Sequence, residues 1–200
     1  STLDNKATID ATAGYLDIEG TYQADGGTIL GSGYVVNATL QELASPSSPS
    51  TILVSGTTTT LATDNLAGYT LWVQGSNHYG DSVLKLGSSQ VNRGAILLQS
   101  ANNTYRSDIS TGSSTLTNLG TISSGAGSGG ERLITGTLDN KATIDATADY
   151  LDISGTYQAD GGTILGNGYV VNATLLETAA PASPSTILVS GTTTTLASDN

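Results

Sequence analysis

The sequence predicts an all-β chain folded as a parallel β-solenoid. Three observations carry the expectation. Residues 2–65 recur at 137–200, a shift of 135 positions with only eight differences: Gly14/Asp149, Glu19/Ser154, Ser32/Asn167, Gln41/Leu176, Leu43/Thr178, Ser45/Ala180, Ser47/Ala182 and Thr63/Ser198. Such self-similarity can decide a fold. Inside the unit, short β-branched clusters return at a smaller period. Composition agrees: charged residues are 12% and Phe, Met and Cys are absent. The Gly- and Thr-rich remainder suits short strands and turns better than helices, and its apolar content is too high for an acidic disordered tail.

The smaller period is read from residues that follow Thr or Ala: Ile9, Ile29, Ile52, Leu71, Ile96, Ile122 and Ile144. Successive anchors lie 20, 23, 19, 25, 26 and 22 positions apart, so one unit divides into six coils. Coils of this size each supply two or three short strands that stack on the previous turn. Predicted strands include 15–18, 51–54, 70–73 and 95–98. Alternation places Leu16 and Ile18 on one face and Asp17 on the other. Gly20, Gly56, Gly75 and Gly155 close strands where a bend requires positive φ or no side chain. Asn5, Asn92, Asn118 and Asn140 each precede a strand by a few residues. Asn there suits a corner, through the left-handed conformation or through amides that bond one another along the stack. The Pro-containing stretch 44–50 and its copy at 179–185 read as a protruding loop that varies between copies. The Gly-Ser run 123–130 reads as a second loop, or as a linker between globular modules.

The coils Asn118-Leu119-Gly120-Thr121-Ile122, their variants at Asn92 and Asn140, and Gly26-Gly27-Thr28-Ile29 resemble those of the bacterial filamentous-haemagglutinin-like and autotransporter-type adhesins. The resemblance implies a parallel β-helix in a large secreted or surface-anchored protein that holds an adhesive or structural stalk away from the cell. One departure is that family coils usually diverge, whereas here a six-coil block is copied almost verbatim. That pattern suits a tandem-repeat fibre.

The net charge of −11 reflects six Lys and Arg against seventeen Asp and Glu. Nothing in it neutralises a phosphate backbone, so nucleic acid is not an expected partner. No apolar run reaches the roughly 18–20 residues of a membrane span. The lone His78 lies in a Gly-Ser-Asn-His-Tyr-Gly turn, and no G-x-S-x-G elbow surrounds a Ser. Asp10 and Asp17 would serve glycoside hydrolysis only in a cleft, and on coils they belong on the outer face. No enzyme activity, catalytic residue or cofactor is expected. Dedicated calcium signatures are missing. Asp25-Gly26-Gly27 and Asp160-Gly161-Gly162 leave weak calcium binding open, although solvated turns explain them as well.

The run Thr57–Thr60, repeated at 192–195, invites comparison with a flat ice-binding Thr ladder. Only one coil per unit carries the run, so it reads as a solvent-facing strand. Lys6 and Lys141 adjoin Asn5 and Asn140, but sequence neighbours on a strand point to opposite faces, which argues against a crosslink. Trp72 alternates against Leu71 and Val73, and it either contacts a glycan or is covered by the loop 76–81. The N-x-T matches at Asn37, Asn102 and Asn172 carry little weight as glycosylation sites.

The combined expectation is a right-handed parallel β-helix with about six coils per repeat. Residues 1–135 form one complete repeat and 136–200 a truncated second one, continuous with the first, so the chain reads as a window of a longer array. The expected role is structural, in an extracellular bacterial fibre, stalk or sheath that serves adhesion, matrix formation or surface coating. Its partners would be neighbouring repeats of the same chain, laterally associated fibres and a surface glycan. The alternatives are a carbohydrate-binding or carbohydrate-active β-helix and a string of β-sandwich modules.

Overall fold

A computed structural model describes residues 1–181 and 185–197. Among these residues there are nineteen strands and no helix, joined in one 19-stranded sheet. The ladders are parallel from Thr2↔Thr21 to Leu175↔Leu196, and the chain makes a β-solenoid of about 10 turns. Separately folded β-sandwich modules, which need antiparallel sheets, are excluded over the described residues.

The apolar anchors stack on one another directly. Ile9 pairs with Ile29, Ile52 with Leu71, Leu71 with Ile96, Ile96 with Ile122, and Ile122 with Ile144. The remaining step, from the Ile29 coil to the Ile52 coil, runs through Tyr34↔Leu53 and Val35↔Val54, with Ile29 N–H donating to Ser50 Oγ at 3.3 Å. Ladders also cross the boundary between copies, since Ile134 pairs with Ile109 on one side and Ile153 on the other. Ile9, the only one of these anchors left partly exposed, packs against the same single cluster that the buried ones form. Each coil therefore buries its apolar face only against its neighbours, and each Ile or Leu so buried is worth about 1.5–3 kcal/mol.

Asparagines line one interior corner. Asn65 Nδ2 donates to Asn92 Oδ1 at 2.6 Å, Asn92 Nδ2 to Asn118 Oδ1 at 2.8 Å, and Asn118 Nδ2 to Asn140 Oδ1 at 2.9 Å. The rank ends where Asn140 Nδ2 donates to Tyr157 Oη at 3.1 Å, and Asn5 makes the same contact with Tyr22 at 2.9 Å. The axial bonding anticipated from sequence is present. The left-handed conformation is not: among the described residues other than glycine, positive φ occurs at Asn37, Asn103 and Asn172. Axial bonds link these buried amides without a backbone reversal, and Asn65 Oδ1 at the start of the rank has no partner.

Coil length also has a structural reason. The three coils that begin at Leu71, Ile96 and Ile122 carry loops at 76–81, 101–106 and 125–131, and these loops stack outside the core. Ala101 N–H donates to Gly75 O at 2.8 Å, and Ser128 N–H donates to Ser100 O at 3.0 Å. The Gly-Ser run is thus a packed loop and not a linker. Gly75 has no positive φ. A Cβ there would lie 2.4 Å from Arg106 O, so close backbone approach requires the glycine.

Candidate functional site

The stacked loops form a lateral platform once per unit. Asn77 N–H donates to Asn102 Oδ1 at 3.3 Å, Asn103 Nδ2 donates to Asn77 Oδ1, and Ser128 Oγ donates to Asn103 O at 3.2 Å. Arg106 holds the acidic edge together. Its Nε lies 3.5 Å from Asp81, and its Nη1 lies 3.7 Å from both Asp108 and Glu131. Burial pushes the Asp108 carboxyl up to about 6 against the opposing pull of Arg106, with Glu131 and Asp81 adding to the rise. Among the described residues no group of three His, Cys, Asp or Glu is arranged to hold a metal ion.

The loop 76–81 also reaches back along the rod as a strap. His78 stacks on Tyr15 with centroids 4.9 Å apart at 12°, and Tyr79 meets Tyr34 at 4.8 Å. Tyr79 Oη donates to Asp17 Oδ1, 62 residues away. Burial, and then the Asp17 carboxylate, raise the Tyr79 pKa above the usual phenol range.

Trp72 faces opposite to Leu71 and Val73, both fully buried, and packs with Tyr79 against Tyr34, Val36 and Leu53. Trp72 is therefore half-buried and shares its apolar neighbours with Tyr79 of the 76–81 loop. A shallow groove of about 340 Å³ remains beside it, lined by Thr28, Leu30, Ser48, Pro49, Thr51 and Trp72 among others. The Pro-containing loop forms one wall. A second groove of about 400 Å³ lies near Gly162, Ala179, Pro181 and Ile187. In the first unit Tyr69 sits at the matching place, its hydroxyl donating to Gly27 O at 3.2 Å.

The other residues singled out from sequence are dispersed. Asp10 and Asp17 are both exposed. Asp10 accepts from Thr12 N–H at 2.9 Å and from Thr12 Oγ1 at 2.6 Å, and these bonds hold its pKa below the usual carboxylate range. Lys6 pairs with Asp4 at 3.2 Å and Asp25 at 3.1 Å, while Lys141 pairs with Asp139 and Asp160. The carboxylates of both Asp-Gly-Gly turns are therefore engaged by lysine. Asn5 points inward, away from Lys6, as alternation requires. Asn37 and Asn172 cap turns, accepting from Thr58 Oγ1 at 2.9 Å and Thr192 N–H at 2.8 Å. Asn102 lies exposed on the platform. The copy of the Pro loop at 179–185 falls partly outside the described residues.

The solvent-facing reading of Thr57–Thr60 needs correction. Thr59 is fully buried and its hydroxyl donates to Ser55 O at 2.8 Å. A long threonine rank does exist one residue before each anchor: Thr8 over Thr28, and Thr51, Thr70, Ala95, Thr121, Thr143 and Thr163 in succession. The adjoining outward column includes Leu30, Trp72, Leu97 and Asp145, so no second hydroxyl rank accompanies it. Sequence reasoning missed the strap and the platform. Their signal was the lengthening of the coils that begin at Leu71 and Ile96, to 25 and 26 positions.

No protein-family model, curated protein or solved structure matches the chain.

Proposed function

We propose that the chain is a structural segment of a long extracellular bacterial surface fibre, stalk or sheath, serving adhesion, matrix formation or surface coating. The observation that carries this reading is the continuity of the ladder through Ile109, Ile134 and Ile153, from one near-identical copy into the next. A unit that stacks on its own copy extends a rod without exposing an edge between units. Stacked at ~4.8 Å per coil, six coils advance the axis by roughly 29 Å. Cryo-electron microscopy of the native polymer tests the reading: a lateral feature repeating near that distance supports it, and a much longer rise per unit overturns it. Lateral association of rods follows the same logic, because equal units place side contacts in register.

A second reading, binding of a neutral glycan, is favoured by the groove beside Trp72. It combines the apolar surfaces of Leu30, Pro49 and Trp72 with the hydroxyls of Thr28, Ser48 and Thr51, a mixture suited to a sugar ring. Binding on a glycan array that is lost in Trp72→Ala supports this reading. An array without binding counts against it.

A further inference from the structure

One pair of residues joins the first unit to the second copy by charge. Arg132 begins the last ladder strand before the second copy and is 0% exposed. Its Nη2 lies 2.8 Å from Asp149 Oδ2 and donates to Gly125 O at 3.1 Å. Its Nη1 donates to Gly130 O at 2.7 Å, and the Tyr150 ring centroid is 5.7 Å from Cζ. A guanidinium enclosed in this way requires a counter-charge, because removing one partner of a buried pair leaves the other desolvated and uncompensated.

Gly14 takes the place of Asp149 in the first copy, whereas Tyr15 matches Tyr150. The φ of Gly14 is not positive, so its backbone conformation does not require the glycine. In the second copy the adjoining coil presents a buried cation to Asp149. A second difference, Glu19/Ser154, falls on the same coil, and Ser154 pairs with Thr135 across the boundary.

We propose that the coil edge formed by Arg132 and the Gly125 and Gly130 carbonyls is a docking surface specific for a unit bearing an acid at the Asp149 position. The residue at that position then specifies which copy of the unit stacks on which. A copy with Asp149 neutralises the guanidinium. A copy with Gly14 there buries it unpaired, a repulsive element against the wrong order. The partner is a second unit of the same kind, selected by one charge. This holds whether or not the assembled rod is adhesive.

Hydrogen exchange on the 200-residue chain tests the proposal. In Asp149→Gly, amides of 132–140 and 150–157 should exchange at least about tenfold faster, the low end for a broken buried pair whose acid is partly exposed. Amides of 95–100 should be unchanged. Gly14→Asp should leave exchange as it was. The double variant Arg132→Met/Asp149→Gly should recover protection, since no charge is then left alone. Unchanged protection in Asp149→Gly overturns the proposal, as does a double variant no better protected than the single one. If Asp149→Gly fails to fold, folding of the double variant supports the pairing, and failure of both refutes it.

Discussion

Replacing Asn118 with Ala tests the rank of stacked amides at its centre. The side chain is fully buried. It accepts from Asn92 Nδ2 at 2.8 Å and donates to Asn140 Oδ1 at 2.9 Å and to Thr143 O at 3.1 Å. Three such bonds contribute about 1 kcal/mol each, and the acceptor left on Asn140 costs a further ~1–3 kcal/mol because no water replaces the lost donor. The total, about 4–6 kcal/mol, is a large part of a domain's stability. Urea unfolding followed by circular dichroism is the assay. With a slope of about 2–3 kcal/mol/M for a chain of this size, the midpoint should fall by roughly 1.3–3 M. Asn118→Asp should do no better, since its second carboxylate oxygen faces Asn140 Oδ1 with no hydrogen between them. Asn102→Ala, on the exposed platform, sets the baseline. A loss at Asn118 below about 1 kcal/mol, or equal to that at Asn102, would refute the claim that axial amide bonding holds this corner.

Other expectations follow from single contacts. Burial, opposed by the Leu66 N–H bond, raises the Glu42 pKa from 4.5 to about 8. The folded state therefore holds its proton more tightly than the unfolded state. Stability from this group is fully present below pH 4.5 and is lost as pH rises towards 8, at up to about 1.4 kcal/mol per unit. Glu42→Gln should flatten that part of the stability–pH curve, and an unchanged slope would show that another group sets it. A Cβ at Gly120 would lie 2.0 Å from Gly94 O, whereas one at Gly14 meets open space. Thermal melts should therefore show Gly120→Ala as strongly destabilised and Gly14→Ala as unchanged or slightly more stable, and equal melting points would contradict the close backbone approach. Tyr79→Ala should open the cover over Trp72, the single tryptophan of the chain, and move its fluorescence to longer wavelength. Emission identical to wild type would mean that the strap does not shield the indole.

The coil period was legible because each anchor does one job on every turn. A residue that must fill the core at a fixed place is β-branched or Leu wherever it recurs, so Ile52, Leu71, Ile96 and Ile122 announce their own register. Asn92, Asn118 and Asn140 were legible for the same reason, although the physical use of the amide was only half anticipated. The sequence also separated Asp17 from Ile18 by alternation. Tyr79 and His78 were not legible, because their partners Asp17 and Tyr15 lie several coils earlier and no local pattern links them. Arg132 was hidden differently. A lone basic residue beside Leu-Ile ordinarily reads as an exposed strand position, and its burial follows only from the loop 125–131 closing over it. Thr59 deceived through its company, since a run of four identical residues conceals that alternate members face opposite ways.

The coils of the unit are uneven. A solenoid of identical turns would repeat at every coil, and every turn would then carry the same outward loop. The strap could not exist in such a rod, because a loop reaching back over earlier coils needs those coils to be bare. Here the coils that begin at Ile9 and Ile29 present Tyr15, Asp17 and Tyr34. The coil that begins at Leu71 supplies His78 and Tyr79, which meet Tyr15 and Tyr34, and the platform loops at 101–106 and 125–131 stack on from there. The last of these encloses Arg132, whose counter-charge comes from Asp149 in the following copy. The strap and the Arg132 contact fall on different coils of the unit, so no single coil carries both. A deletion of one coil between Ile52 and Ile96 would preserve the apolar ladder, yet it would remove His78 and Tyr79 and their ring contacts with Tyr15 and Tyr34. The lateral contacts, and not the core, therefore tell one coil from another.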